Sequence, residues 1–432
     1  MSASRAVTIY AAGNVLSAGV PFLLLPLLTR VLPPAQYGAV VNFFLLLSAC
    51  TAVAGLGMHG ALGVRWFKEE PAYMPRIVGT GLVIAVLSTL AVAIVLGAVV
   101  ALLPAGQLGF GPGVGALAAI AAGCNVVLQC RLVLWQNEQR PIANVALQFA
   151  GSLLNVSLSL VAVLALGWGA MGRIVGATLA GVIVAAFAVL LLVTARQVRL
   201  QLRWSDARSL IGFGAPLVPH SMAGVMLSNA DRFVVSAMLG PATLGTYGAA
   251  AQLGAIMSIL ADAFVKAFNP WLFGRLASGR PREELRVVGA IYAAIPGFFV
   301  LAALVGTLLV AAGRPLLGPE YRSALGLVPW FVLGGAFSGI YLAVSGLYFY
   351  YGRTAMLSGV TFPTSLIGLA CTVGLVASFG ATGAAAGYAL TQALLSVAAG
   401  VVARRTFRLP WHQPRYAVRS WREPVVPEHV ER

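Results

Sequence analysis

Four charged residues stand inside otherwise apolar stretches of this chain. Asp231 and Arg232 are adjacent in one stretch, and Asp262 and Lys266 lie four apart in the next. A charge at the centre of a hydrocarbon layer costs at least about 2.5–3.5 kcal/mol, so such residues need partners or water and mark transport paths or proton relays. Asp262 and Lys266 share one helical face and can pair directly. Asp231 and Arg232 diverge by about 100° around a helix, so each is expected to find its partner on another helix. His220, Gly224 and Ser228 continue the stripe of Asp231, and Ser258 and Asn269 that of Asp262. Two further stripes are Tyr10, Asn14, Ser17, Pro21 and Ser48, Ala52, Gly55, His59. An uncharged row, Asn144, Gln148, Gly151, Asn155 and Ser159, reads first as interhelical hydrogen bonding. His59 and His220 can titrate or simply pack, and Lys266 can line a path or anchor at the interface. No nucleophile–base pair, metal-ligand spacing or P-loop is present. The glycines of 109–113 follow no strand, so they fail as a nucleotide site. The expectation is a protein that is not an enzyme and has no cofactor, with a coupling H+ or Na+ as the one ion an intramembrane acid could take.

The elements that carry these residues follow from composition. Of 432 residues 59% are hydrophobic and only 9% charged, and the mean hydropathy is +0.90. Such a chain cannot cover a water-facing surface, which excludes a soluble enzyme. About 20 residues of helix cross a hydrocarbon core. Stretches of that length predict twelve spans, near 6–29, 38–64, 77–103, 113–134, 141–167, 171–194, 209–239, 245–273, 287–312, 324–349, 354–378 and 381–403. Pro21, Pro26, Pro216 and Pro219 are expected kink sites. The loops are too short for a folded extramembrane domain. Cys50, Cys124, Cys130 and Cys371 all fall in apolar stretches and read as small hydrophobes.

The net charge of +16 is a topology signal rather than a nucleic-acid footprint. With the N-terminus inside, the inner segments hold 22 of the 28 basic residues and the outer ones only Arg30, Arg173, Arg314 and Arg322. The positive-inside rule then places both termini in the cytoplasm.

The chain also repeats itself. Gly169-Ala170-Met171-Gly172 with Gly176 returns as Gly380-Ala381-Thr382-Gly383 with Gly387, at an offset of 211. Pro34-Ala35 and Tyr37-Gly38 return as Pro241-Ala242 and Tyr247-Gly248, and Arg140 as Arg353. Six spans per copy predict two bundles, 1–208 and 209–403, related by a pseudo-twofold along the membrane normal, with a basic tail at 404–432. Architectures of this kind bind cargo between their halves and alternate access by rocking.

The motifs resemble a known family. Asn14, the run Pro21-Phe22-Leu23-Leu24-Leu25-Pro26-Leu27-Leu28-Thr29-Arg30 and the loop Leu32-Pro33-Pro34-Ala35-Gln36-Tyr37-Gly38 are similar to the polysaccharide and O-antigen flippases. These belong to the multidrug/oligosaccharidyl-lipid/polysaccharide (MOP) exporter superfamily. Asn229-Ala230-Asp231-Arg232-Phe233 and Leu317-Gly318-Pro319-Glu320-Tyr321-Arg322 agree with it. The resemblance implies a cavity lined by spans 1, 2, 7 and 8 in a bacterial inner membrane. It implies as cargo a polyprenyl-pyrophosphate-linked oligosaccharide moved from the inner to the outer leaflet, with membrane lipids and polysaccharide polymerase or export machinery as partners. Arg30, Arg65, Arg232 and Lys266 become the candidates for the pyrophosphate, Asn14, His59 and His220 for the cavity wall, and Asp231 and Asp262 for coupling or charge pairing. A cation-coupled multidrug exporter on the same fold is the alternative, and a membrane glycosyltransferase or polymerase a weaker one.

Overall fold

A computed structural model of the chain describes residue 13, residues 19–104 and residues 106–412. Asn14, Tyr10 and Ser17 lie outside the described residues, as does the end of the basic tail. All regular structure among the described residues is helical. A 3-10 turn, Val20–Leu23, leads into α1 (Leu24–Val31). There follow α2 (Pro34–Val53), α3 (Met58–Arg65), α4 (Met74–Leu102), α5 (Pro112–Asn137) and α6 (Pro141–Leu160), the last extended by a π-helical turn at Val161–Ala165. The remaining helices are α7 (Gly169–Thr194), α8 (Trp204–Gly214), α9 (Leu217–Ala277), α10 (Pro281–Leu316), α11 (Val328–Tyr350) and α12 (Thr354–Thr406).

Among the described residues nine helices are long and apolar enough to cross a membrane. Two of these exceed one crossing. α9 is interrupted at Gly240 (φ 78°) and α12 at Gly380 (φ 59°), left-handed positions that a glycine adopts without steric cost. Each therefore supplies two spanning segments, in agreement with the predicted breaks between spans 7 and 8 and between spans 11 and 12.

Two predicted spans are not continuous. The stretch 38–64 breaks between α2 and α3, where Gly55, Leu56 and Gly57 all take positive φ (81°, 46° and 66°). The stretch 209–239 breaks at a turn containing Pro216, one of the expected kink sites, between α8 and α9. The two breaks meet: a Cβ on Gly214 would strike the Leu56 carbonyl, and one on Gly57 would lie 3.5 Å from Leu217. Pro26 and Pro219 sit instead in the first turns of α1 and α9, where proline replaces no hydrogen bond.

The chain forms two compact units. The first comprises Met1–Ala249 with Pro315–Ser323, the second Ala250–Arg314 with Ala324–Arg432. Cys50, Met58, Leu62, Val78, Cys130 and Leu134 lie in the core of the first, Leu272, Val288, Leu347, Tyr348 and Phe407 in that of the second.

Within each unit the repeated motifs adopt the same geometry. α5 and α11 end in the same Schellman turn. The Arg140 amide donates to the Trp135 carbonyl and that of Arg353 to Tyr348, both at 2.8 Å. Gln139 (φ 57°) and Gly352 (φ 65°) hold the left-handed position between. Gly169 and Gly380 open the following turns at φ 55° and 59°. One turn on, Gly172 and Gly383 press on the backbone of the preceding helix at Ala162 and Leu375. The matched glycines thus stand where the backbone takes positive φ or meets a neighbouring backbone closely.

Candidate functional site

In the first unit the polar side chains gather around the first half of α9. Asp231 is only 5% exposed, and its carboxylate Oδ2 accepts a hydrogen bond from the Tyr247 hydroxyl at 2.7 Å. Tyr247 lies beyond the Gly240 break, so Asp231 does find its partner on a second helical segment. Arg232 also makes contacts along its own helix. Its Nη1 reaches back one turn to the Ser228 carbonyl and Asn229 Oδ1, both at 3.2 Å, and lies 3.9 Å from Asp231 Oδ1. A long side chain can fold back along its own helix although the Cβ vectors diverge. One turn further, the Ser236 hydroxyl donates to Asn42 Oδ1 at 2.6 Å, and the Asn42 amide donates to the Leu108 carbonyl at 3.0 Å. The Ser236–Asn42 bond thus ties α2 to α9 one turn from Asp231, completing a polar ladder.

Glycine permits the close approach. A Cβ on Gly38 would enter the Pro241 carbonyl and one on Gly245 the Pro34 carbonyl, a reciprocal contact between the repeated Pro-Ala…Gly motifs. At the same end Tyr321 donates to the Leu32 carbonyl at 2.7 Å, and the Gly318 amide to Thr29 Oγ1 at 3.2 Å. Burial first, then Tyr37 and Glu320, push the Tyr321 phenol well above its ordinary range, so it remains a neutral donor. Arg30 is exposed beside this knot, with Nη2 donating to the Pro315 carbonyl at 2.5 Å. Arg65 closes α3, bonded to Glu69 and to Ser209 on α8. His59 and His220 are exposed.

In the second unit Lys266 and Asp262 form the expected i,i+4 pair at 2.6 Å, their side chains 55% and 53% exposed. Asn269, one turn on, has a buried Oδ1 with no hydrogen-bond donor among the described residues. The candidates thus fall into local groups: Asp231 with Arg232, Asp262 with Lys266, Arg65 at the end of α3, and Arg30 at the 315–323 loop.

Sequence reasoning missed three groups. Arg173, which the charge bias assigns to an outer loop, is 6% exposed. Its Nη1 donates to Asn155 Oδ1 (2.7 Å) and Ser159 Oγ (2.8 Å), and its guanidinium lies 4.7 Å from the Phe44 ring centre. That explains half of the polar row on α6. The other half also reaches a second helix: Gln148 donates to Asn144, which donates to the Leu132 carbonyl of α5. Asn42 and Tyr247 were also passed over. The signal for Asn42 was an amide inside a span; Tyr247 was noticed only as part of the repeated loop motif.

With this geometry in place, comparison with known proteins decides the family. A family model described as polysaccharide biosynthesis protein matches residues 4–274. The chain belongs to that family. Among curated relatives, protein 1 of the Lsg locus of Haemophilus influenzae is 24% identical over 378 residues, covering 85% of this chain and 90% of the relative. An uncharacterized membrane protein of the same organism is 24% identical over 387 residues, covering 87% and 91%. Among solved structures, an inward-facing multidrug-resistance MATE transporter of the MOP superfamily superposes with TM-score 0.68 at 15% identity, covering 94% of each chain. A eukaryotic MATE transporter superposes with TM-score 0.56 at 14% identity, covering 96% of this chain and 98% of that one. The chain is thus a multi-pass membrane protein of the polysaccharide biosynthesis family with the helical fold of the MATE transporters.

Proposed function

We propose that the chain is a flippase that moves a polyprenyl-pyrophosphate-linked oligosaccharide from the inner to the outer leaflet of a bacterial cytoplasmic membrane. The observation that carries this reading is the family match over residues 4–274. The family's description, polysaccharide biosynthesis, and a fold shared with MATE transporters together support this reading. A precursor assembled on one side of a membrane and consumed on the other satisfies both. Polymerase or export machinery is then its neighbour, and both termini lie in the cytoplasm.

Two six-helix bundles, 1–208 and 209–403, would rock about a cavity faced by spans 1, 2, 7 and 8. Arg232, with Arg30, Arg65 and Lys266, would hold the pyrophosphate, since a guanidinium fork matches phosphate oxygens in pairs. Asn14, His59 and His220 would face the sugars. Asp231, secured by Tyr247, and Asp262, paired to Lys266, keep the two spanning segments electrically balanced and supply acids for coupling to H+ or Na+.

The test is complementation of a strain lacking the gene. Arg232→Ala is expected to abolish surface polysaccharide while leaving the amount of membrane-inserted protein unchanged. Normal polysaccharide with that variant removes Arg232 from the site. The multidrug alternative predicts instead that the chain protects a drug-sensitised host and that Asp231→Asn cancels the protection.

A further inference from the structure

The second unit carries a groove of about 880 Å3 between α10 and α11 that the transport reading does not use. One face of α10 lines it at steps of three and four residues, from Phe299 through Ala302, Gly306 and Val310 to Arg314. Val332 and Leu333 of α11 form the opposite wall. Small side chains make the hollow; a Cβ on Gly306 would still stand 3.7 Å from Val332. At helical rise, Phe299 to Arg314 spans roughly 22 Å, about the depth of one leaflet including its headgroup layer. The walls are apolar apart from Thr307, whose hydroxyl already donates to the Ala303 carbonyl at 2.8 Å. The charge sits at one end alone. Arg314 is exposed and makes no ion pair among the described residues.

We propose that this groove holds one anionic phospholipid, with an acyl chain along α10 and the phosphate on Arg314. The length admits a chain of one leaflet, the walls admit hydrocarbon, and the Arg314 guanidinium at the mouth selects a headgroup with net negative charge. A long polyprenyl chain would overrun the Phe299 end. The assignment does not depend on the identity of the transported cargo.

Native mass spectrometry of the full-length protein, equilibrated with equal amounts of phosphatidylglycerol, phosphatidylcholine and a polyprenyl phosphate, tests it. Phosphatidylglycerol should be retained preferentially. Arg314→Gln, an exposed and structurally tolerant change, should lower its retention about tenfold, the equivalent of one charge-assisted contact. Gly306→Leu should do the same by filling the groove, and Leu308→Ala, outside it, should have no effect. A phosphatidylglycerol bearing a photoreactive acyl chain should label the segment 299–314. Equal retention of phosphatidylglycerol and phosphatidylcholine, unchanged retention in Arg314→Gln, labelling elsewhere, or preference for the polyprenyl phosphate would each overturn the proposal.

Discussion

The Tyr247–Asp231 contact offers the sharpest energetic test of the polar ladder. Removing the hydroxyl by Tyr247→Phe leaves a carboxylate that is 5% exposed without its 2.7 Å donor. A neutral interhelical hydrogen bond in a membrane protein averages only about 0.6 kcal/mol. One to an ionised group contributes about 1.5–3 kcal/mol. A double-mutant cycle of Tyr247→Phe with Asp231→Leu, read by reversible unfolding in mixed micelles, isolates the pair. The guanidinium of Arg232 lies 3.9 Å from the other oxygen of the same carboxylate, so the contact is set in a charged pair. The expected coupling is therefore above about 1.5 kcal/mol. Adding Arg232→Gln to the cycle should lower it towards the neutral value. A coupling near 0.6 kcal/mol with Arg232 intact would refute the charged contact and the electrical balance built on it.

Three further outcomes follow from the geometry. Gln139→Gly should stabilise the protein by roughly 1 kcal/mol, because a non-glycine residue holds φ 57° there, whereas Gly352→Ala at the matched turn should cost a similar amount in the same unfolding assay. Gly38→Ala and Gly245→Ala should each sharply reduce the yield of folded protein on size-exclusion chromatography, since either Cβ enters a carbonyl across the α2–α9 contact. Asn155→Leu should destabilise by about 1.5–3 kcal/mol by stranding the buried Arg173, and Arg173→Met should recover most of that loss in the double variant. A neutral Asn155→Leu would show that Arg173 does not depend on this contact.

Much of the architecture was readable because hydrophobic length and glycine placement are local properties. The break between spans 7 and 8 was marked by Gly240, and Gly169 and Gly380 revealed the repeat because the backbone needs them at positive φ. The interruption at Gly55-Leu56-Gly57 was not visible, since a change of φ leaves the run of apolar residues intact. The burial of Arg173 was hidden for a related reason. Charge bias assigns loops by sequence neighbourhood, but Arg173 is buried by contacts with Asn155, Ser159 and Phe44 on other segments. Likewise, the Asp262–Lys266 pair follows from helical spacing alone, whereas the Tyr247 partner of Asp231 depends on how the chain turns at Gly240.

Direct transfer of cargo between leaflets bears most closely on the central claim. The full-length protein, reconstituted in vesicles with a fluorescent polyprenyl-pyrophosphate glycan on one leaflet, should make that glycan accessible to a membrane-impermeant quencher on the other. Transfer should be faster than in protein-free vesicles and should fall to that background with Arg232→Ala. No transfer above protein-free vesicles for any glycan native to the source membrane would contradict the account.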